Sequence, residues 1–359
     1  MSIMLGIDMH VKNLVCEIGF EKKKPTKRVY LNTKDGHELL IKDIEKMKSM
    51  HKTNNVLAAY EASGLGYALY DRLLDKGYNC AILAPTELLR SATGFKKKTD
   101  KKDASYIYEA IRGHILAGNR LHDVWVPDQE LREDRDIVRT RFDIAKKIAE
   151  VKVQIQTLLK KYGIKKSEDV ENWSVPFINW LNCGLQEMGN GFRVSLDSLL
   201  RQLFFLESEC MHVEKEVKKI SRKERYKYQY DELIKEKGIG LLTAMTFLTE
   251  IGDVSRFKNR RQVGAYLGLV PSSFESGEQS DKKGRITNCG PYRLRSVLNQ
   301  SVWVHLRYSG EEKRVYERIS EKNPKHKKKA VVACMRRLGI KMWHIALKAQ
   351  EDVKMKKSA

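Results

Sequence analysis

The sequence contains no long apolar run, although 42% of its 359 residues are hydrophobic. A helix that crosses a membrane needs roughly 18 consecutive apolar residues, and no segment approaches that length. The first residues after Met1 and Ser2 read IMLGIDMH, which has the composition of a β-strand and lacks the pattern of a signal peptide. We therefore expect a globular protein that has no membrane partner and works in the cytoplasm.

Cysteines are few and scattered. The sequence has six, and no two of them form a C-x-x-C pair, which argues against a structural zinc site. Most have apolar neighbours, so we expect reduced thiols in the protein core, as is usual in a reducing compartment. The six are Cys16, Cys80, Cys183, Cys210, Cys289 and Cys334.

Acidic residues are too few to balance the basic ones. The 68 Lys and Arg residues against 46 Asp and Glu residues give a formal net charge of +22. Such an excess favours polyanionic partners, with an affinity that falls as the salt concentration rises. Nucleic acid is the leading candidate, and an anionic membrane surface is the rival.

The N-terminal part of the sequence alternates strand-like and helical segments. Three strand-like segments with short turns come first, and helix, strand, helix, strand and helix follow. This is the order of a ribonuclease-H-like α/β domain, which we assign to residues 1–125. The predicted strands are residues 3–9, 11–20, 27–32, 54–62 and 78–85.

The remainder of the sequence is predicted to be mainly helical. Residues 126–230 are rich in charge and contain two long amphipathic segments, 144–163 and 195–220, which predict an antiparallel or coiled-coil spacer. Residues 231–359 are more apolar, predict a mainly α domain and include the basic run KHKKK at 325–329. A spacer of this kind would separate two domains or pair with a second copy of the chain.

Four acidic residues fall where the ribonuclease-H-like layout would bring them together. Asp8 lies near the end of the first strand, Glu61 ends the fourth, and Asp100 and Asp103 share one face of the last helix. In this layout the first and fourth strands are neighbours. Four carboxylates at one edge would repel one another unless cations lay between them. Oxygen ligands suit Mg²⁺, with Mn²⁺ as the alternative, and two such ions about 4 Å apart are usual for phosphoryl transfer.

Lysines surround the two helix acids in the stretch KKKTDKKDA. Beside a metal site they predict contacts to phosphate groups, whereas on their own they would be typical of a solvated helix face. In the same way, each of the four acids taken singly is consistent with a surface residue. The lysines are Lys96, Lys97, Lys98, Lys101 and Lys102.

The motifs GIDMH, YEASGLGYALYDRLLDKGYNCAILAP and KKTDKKDA resemble the DEDD, RuvC-like domain of one group of insertion-sequence transposases. Members of this group are also called bridge recombinases, because a structured RNA guides them. The downstream stretch from KGIGLLTAMTFLTEIG to NQSVW and the ending YERISEKNPKHKKKAVVACMRRLGIKMWHIAL are similar to the second conserved domain of the family. The resemblance implies that Asp8, Glu61, Asp100 and Asp103 are the DEDD set that holds Mg²⁺.

The resemblance also implies a serine nucleophile. The family carries it in a Ser-Gly pair after a Gly-Leu-x-Pro turn, and GLVPSSFESGEQ places Ser276 in that pair. No Ser-His-Asp arrangement is visible around it, so activation would fall to the metal cluster. Three further serines are alternatives, and three basic residues that follow predict phosphate contacts. The alternatives are Ser272, Ser273 and Ser280, and the basic residues are Lys282, Lys283 and Arg285.

Glycines 238 and 240, which precede a predicted helix in KGIGLLTA, admit two interpretations. Their backbone N–H groups could contact DNA phosphates. They equally suit close packing of one helix against another.

The resemblance implies donor and target DNA and a guide RNA as partners, a homodimer or homotetramer, and a place at the nucleoid. Three other functions stay open on the sequence. A site-specific DNA invertase of the same family would share the chemistry but would not move an element. A RuvC-like junction nuclease would use water in place of serine, and a non-catalytic nucleic-acid-binding protein would cut nothing.

Overall fold

The computed structural model describes residues 2–20, 24–85, 100–273, 283–287, 289–322 and 324–358. The chain divides into two compact units, Met1–Val126 and Pro127–Ala359, and each has hydrophobic cores of its own. Our division into three domains, 1–125, 126–230 and 231–359, stays a prediction.

The first unit has the predicted order of three strands followed by alternating helices and strands, and this order is confirmed. Every predicted strand is present, the first with its predicted bounds and the others with ends that differ by at most two residues. The elements are β1 (Ile3–Met9), β2 (Asn13–Phe20), β3 (Thr26–Leu31), α1 (Lys34–His51), β4 (Val56–Glu61), α2 (Ala68–Asp75), β5 (Asn79–Leu83) and α3 (Asp100–Ala117).

The five strands form one mixed sheet in the order β3-β2-β1-β4-β5. Strand β2 runs antiparallel to both β1 and β3, whereas β1, β4 and β5 are parallel to one another. Because parallel neighbours end at the same edge, the carboxyl ends of β1 and β4 lie side by side. That edge is where the sequence places Asp8 and Glu61.

Helices cover both faces of this sheet. Strand side chains alternate between faces, so Ile3, Leu5 and Ile7 pack in one core with residues of α1 and α2. Met4 and its neighbours on the opposite face pack in a smaller core with Ile107 of α3. Helix α3 is therefore the element that lies over the face to which Asp8 belongs.

The second unit is mainly helical. Its helices are α4 (Gln129–Lys161), α5 (Val175–Cys183), α6 (Asn190–Ile220), α7 (Lys227–Leu233), α8 (Leu241–Ile251), α9 (Arg260–Tyr266), α10 (Tyr292–Tyr308), α11 (Gly310–Lys322) and α12 (Lys328–Ser358). Two short antiparallel strands, β6 (Pro271–Ser273) and β7 (Lys283–Ile286), lie between α9 and α10.

The two longest predicted amphipathic segments pack against each other as α4 and α6. Arg141 pairs with Glu214, and Lys152 pairs with Glu207 at 3.0 Å. A later residue of α4 therefore contacts an earlier residue of α6. The two helices are antiparallel. Whether they act as a coiled-coil spacer stays a prediction.

Several elements of this unit are absent from the sequence prediction. Helix α4 begins 15 residues before residue 144, because the Asp128 side chain caps it by accepting from the Leu131 N–H at 2.8 Å. Helix α5 lies between the two predicted amphipathic segments and contributes Phe177 and Leu181 to the core between α4 and α6. The β6–β7 pair lies in the part of the chain for which the sequence predicts a mainly α domain.

Gly238 has a packing role. Its φ of +88° lies in the left-handed region, and a Cβ there would stand 2.7 Å from the carbonyl oxygen of Ser301 in α10. Gly240 has open space at the corresponding position. The structure thus gives Gly238 the helix-packing role that was one of its two interpretations.

Three cysteines match the expectation of core thiols, since Cys16, Cys210 and Cys334 are buried. The expectation is wrong for Cys183 and Cys289, which are exposed. Burial raises the pKa of Cys16 to about 12, which keeps that thiol protonated and unreactive.

In the described part of the chain, no helix combines the length and the apolar character needed to cross a membrane.

Candidate metal and DNA-cleavage site

Asp8 and Glu61 lie next to each other in the sheet because of the register of β1 and β4. Ile7 pairs with Tyr60 across the parallel ladder, so the residues that follow them come at matching positions. Ile7 and Tyr60 both face the core beneath α1 and α2. Since successive side chains alternate, Asp8 and Glu61 both project toward the α3 face at the carboxyl edge of the sheet.

Helix α3 approaches this face as closely as a backbone can. Gly6 of β1 has no side chain, and a Cβ built there would lie 2.5 Å from the Ala104 carbonyl oxygen and 2.4 Å from the Tyr108 nitrogen. Ile111, further along α3, packs in the same core as Met4, further back along β1. Helix α3 therefore runs against the direction of β1, and its first turn lies toward the edge that carries Asp8.

The first turn of α3 holds the other two acids. Asp103 is half-buried and directly precedes Ala104, which is buried. The backbone of Asp100 is the start of the helix, and its side chain lies outside the described part of the structure. The structure thus brings Asp8, Glu61 and Asp103 to one face and one end of the sheet.

His10 is a neighbour of the site that the sequence did not single out. Its Nε2 lies 3.0 Å from Oδ2 of Asp8. The Asp8 side chain is 15% exposed and that of His10 is 40% exposed, so the pair stands at the boundary between core and solvent. The two-residue spacing between Asp8 and His10 is the only sequence signal that could have pointed to this contact.

The metal site itself stays a prediction. Among the side chains that the structure describes, no three carboxylate, imidazole or thiol groups are grouped so that they could hold a metal ion. The donor chemistry nevertheless fits Mg²⁺ or Mn²⁺, since the acids that share this edge offer only carboxylate oxygens. Asp8, Glu61, Asp100 and Asp103 are the residues that would hold such an ion.

Glu17 is a buried acid on the same face that sequence reasoning missed. It pairs with Gly6 in the β1–β2 ladder and is 7% exposed. Its carboxylate accepts a hydrogen bond from the Ser105 hydroxyl of α3, and Lys27 of β3 lies 3.3 Å from it. Strand periodicity alone could not flag Glu17, because its contacts come from two other elements.

The predicted serine site falls largely on residues outside the described part of the chain. These are Ser276, Ser280 and Lys282, together with Lys96, Lys97 and Lys98 of the first unit. For Lys101, Lys102, Ser273 and Lys283, the structure describes the backbone but not the side chain.

The described ends of the β6–β7 pair flank the segment that contains Ser276. Ser272 donates its hydroxyl to the Arg285 carbonyl oxygen at 3.0 Å, so this hydroxyl is engaged in holding the two strands together. The side chain of Arg285 is exposed. Of the alternative serines, Ser272 thus has a structural hydrogen bond.

Two glycines make close backbone contacts at the base of this strand pair. Gly268 has a φ of +66°, and a Cβ there would lie 2.2 Å from the Cys289 carbonyl oxygen. Gly290 has a φ of +102°, and its Cβ would lie 2.0 Å from the Tyr266 carbonyl oxygen. Arg295 donates to the Gly290 carbonyl at 3.0 Å. Only glycines fit these two positions, so the described residues on either side of β6 and β7 are held in close backbone contact.

Two protein-family models match the chain over separate segments. A transposase model for the DEDD domain of IS110 elements matches residues 5–164, which contain all four acids. The model described as the transposase IS116/IS110/IS902 family matches residues 231–317, which contain Ser276.

Curated relatives carry similar names. A putative transposase of Sinorhizobium fredii, y4qE, is 29% identical over 254 residues, which is 71% of this chain and 60% of that relative's own length. The transposase for insertion sequence element IS1533 of Leptospira borgpetersenii is 25% identical over 305 residues, 85% of each chain. The transposase for IS1111A of Coxiella burnetii is 23% identical over 69% of this chain and 65% of its own.

The two matched segments follow each other in the order that the sequence resemblance implied, and the acids and the serine fall in separate segments. The chain belongs to the IS110/IS116 transposases, a family of enzymes that cut and rejoin DNA.

Proposed function

We propose that this chain transfers DNA strands between donor and target DNA through a covalent bond between Ser276 and a DNA phosphate. The observation that supports this most is the placement of Asp8 and Glu61. They end neighbouring parallel strands on the face covered by α3, in a chain that also carries the serine-bearing segment. On this proposal the first unit is a RuvC-like domain.

The chemistry conserves one phosphodiester bond. The Ser276 oxygen loses its proton and bonds to the scissile phosphorus, and the bond from phosphorus to a 3′ oxygen breaks. That oxygen leaves as a 3′-hydroxyl after taking up a proton. A 3′-hydroxyl from another strand then attacks the phosphoserine and releases Ser276, so the strands are rejoined without a nucleotide cofactor.

In this proposal, acidic residues bind the metal and basic residues bind phosphates. Asp8, Glu61, Asp100 and Asp103 would hold Mg²⁺ or Mn²⁺, which when bound stabilises negative charge on the phosphate and lowers the pKa of an oxygen attached to it. Basic side chains around the two segments would hold phosphates and orient the strands. These are Lys96, Lys97, Lys98, Lys101, Lys102, Lys282, Lys283 and Arg285.

A covalent-adduct assay tests the proposal. The full chain is incubated with Mg²⁺, its copurified nucleic acid and labelled DNA that carries the ends of its element, and the products are separated under denaturing conditions. Wild-type protein should give a slow band of protein joined to DNA, and Ser276→Ala should give none, because the nucleophile is gone. Ser272→Ala is the matched control and should keep the adduct, since Ser272 donates to the Arg285 carbonyl.

Other outcomes assign other functions. If Ser276→Ala still cuts the DNA and forms no adduct with it, water is the nucleophile and the chain is a metal-dependent junction nuclease. If wild-type protein binds the DNA and neither cuts it nor joins to it, the chain is a binding protein. Inversion of a segment between two sites, without transfer to new DNA, would identify an invertase of the same family.

We also propose that a guide RNA selects the DNA sites. In RNA-guided enzymes base pairing reads the sequence, whereas the protein holds backbones through positive charge. The net charge of +22 supplies such positive charge. The protein would then work at the nucleoid, where its DNA partners are.

A homodimer or homotetramer is the proposed working state. The helical pair of α4 and α6 leaves large apolar side chains exposed, among them Phe205 at 65% and Val153 at 60%. Exposed apolar groups on long helices favour pairing with another helix. Light scattering on the purified chain would give a monomer mass if this proposal is wrong.

A further inference from the structure

Three residues form a row across the sheet beneath the first turns of α3. Gly6 of β1 pairs with Glu17 of β2, and Glu17 pairs with Lys27 of β3. Residues in register on neighbouring strands project to the same face, so the row lies on the face that α3 covers. This is also the face of Asp8 and Glu61.

The row is tied to α3 through one hydroxyl. Ser105 donates its hydroxyl to Oε2 of Glu17, and the Lys27 Nζ lies 3.0 Å from the Ser105 oxygen. Lys27 also lies 3.3 Å from Oε2 of Glu17. One residue from each of β2, β3 and α3 therefore meets in a single polar contact.

Burial makes this contact costly to lose. The Glu17 side chain is 10% exposed, whereas that of Lys27 is 47% exposed. A carboxylate so far from solvent needs hydrogen-bonding partners, and removal of one of them leaves the charge poorly compensated. Ser105 and Lys27 are the partners that supply this compensation from other elements.

The position of Ser105 gives the contact a use beyond stability. Ser105 is two residues after Asp103 and follows Ala104, whose carbonyl would meet any side chain at Gly6. A glycine at that point lets α3 lie on the sheet but does not fix where along β1 it stops. The bond from Ser105 to Glu17 fixes that position, and with it the distance from the first turn of α3 to Asp8.

We propose that Glu17, Ser105 and Lys27 are positioning residues that hold the first turn of α3, and therefore Asp100 and Asp103, in place beside Asp8 and Glu61. The inference rests on the proposed metal-dependent function. None of the three residues would itself bind the metal ion. Groups that orient metal ligands in this way commonly change metal affinity by about tenfold or more when they are removed.

Manganese binding and hydrogen exchange test this on the full chain. Mn²⁺ affinity is measured by electron paramagnetic resonance, and backbone exchange is followed in the peptides of α3. Ser105→Ala should weaken Mn²⁺ binding by about tenfold and speed exchange at the start of α3. Ser105→Thr, which keeps a hydroxyl, should restore both. Ser49→Ala removes a helix serine of α1 that donates to the Glu45 carbonyl, and it should change neither.

Two variants that each remove one positive charge from β3 distinguish a positioning role from a general effect on stability. Lys27→Gln should weaken Mn²⁺ binding, whereas Arg28→Gln should not, because Arg28 of the same strand pairs with Asp43 of α1. Thermal unfolding of both variants shows how much each loses in stability. If both variants weaken Mn²⁺ binding in proportion to their loss of stability, the contact of Lys27 with Glu17 and Ser105 has a structural role only.

The results also separate this inference from the proposed function. If Ser105→Ala has wild-type Mn²⁺ affinity and wild-type exchange in α3, the positioning role is overturned while the metal site stands. If the wild-type chain binds no Mn²⁺, the proposed metal-dependent function fails. Exchange in α3 then decides by itself whether Ser105 holds the helix.

Discussion

At the scale of single residues, Asp8 combines two properties that surface acids lack. It stands at the end of a strand whose preceding residues, Ile3 to Ile7, form part of the protein core, and its own side chain is 15% exposed. A carboxylate in such a place needs a cation or a donor nearby. His10 lies 3.0 Å from this carboxylate, and the metal ion of the proposed mechanism would be a further partner.

The variant Asp8→Asn should abolish DNA cleavage while leaving DNA binding intact. The amide keeps the shape of the side chain but removes the negative charge that would hold a divalent ion. Because a metal ion supplies several kcal/mol to phosphoryl transfer, the loss in cleavage rate should be at least about a hundredfold. Cleavage is measured on labelled DNA, and binding by a gel-shift assay.

Asp75→Asn is the matched control for Asp8→Asn. Asp75 is exposed at the end of α2, so its replacement should leave both cleavage and binding unchanged. Cleavage by Asp8→Asn at the wild-type rate would exclude Asp8 from any metal site.

At the scale of elements, the position of α3 depends on the absence of a side chain at Gly6. Gly6→Ala would place a methyl group 2.4 Å from the Tyr108 nitrogen, and backbone atoms of a helix cannot yield as a flexible side chain can. We expect the free energy of unfolding of the first unit to fall by about 2 kcal/mol. Urea unfolding, followed by circular dichroism, measures this change.

The control for Gly6→Ala is Gly64→Ala, because nothing lies within 4 Å of a Cβ at Gly64. This variant should unfold at the same urea concentration as the wild type. Equal stability of both variants would mean that α3 does not rest on β1 as described.

The element order of the first unit could be predicted from the sequence, because buried strands and amphipathic helices leave different hydrophobic periods. The same periods place Asp8 and Glu61 at strand ends. Helix α5 and the β6–β7 pair could not be predicted in this way, since both are short and α5 is stabilised by packing against α4 and α6. Glu17 was missed for a related reason: its partners, Ser105 and Lys27, are distant in sequence and meet it only in the folded sheet.

At the scale of the whole molecule, the net charge of +22 favours a polyanionic partner. Acidic side chains neutralise individual basic residues locally, as Glu250 does for Arg139 through two hydrogen bonds of 2.8 and 2.9 Å. Such pairs hold the second unit together but cannot remove an excess of 22 cations. The excess favours release of counterions from nucleic acid, which gives tight binding at low salt and much weaker binding at high salt.

The resulting prediction concerns the nucleic acid that the protein carries. When the chain is purified at low salt from its own host, a discrete RNA should copurify, because an RNA guide would be bound before any DNA is found. Sequencing identifies the RNA, and washing with high salt should release it. Ribonuclease treatment of the purified complex should abolish recombination, and addition of the same RNA, made in vitro, should restore it.

A matched preparation with heat-inactivated ribonuclease controls for the treatment, and the Ser276→Ala protein controls for binding. Since Ser276 would take part in cleavage and not in RNA binding, that variant should carry the same RNA in the same amount. RNA that binds only because of the net positive charge would be heterogeneous. It would differ between preparations, and any other polyanion could replace it. Recombination that survives ribonuclease would leave the protein itself as the reader of the DNA sequence, and the positive charge would then serve DNA alone.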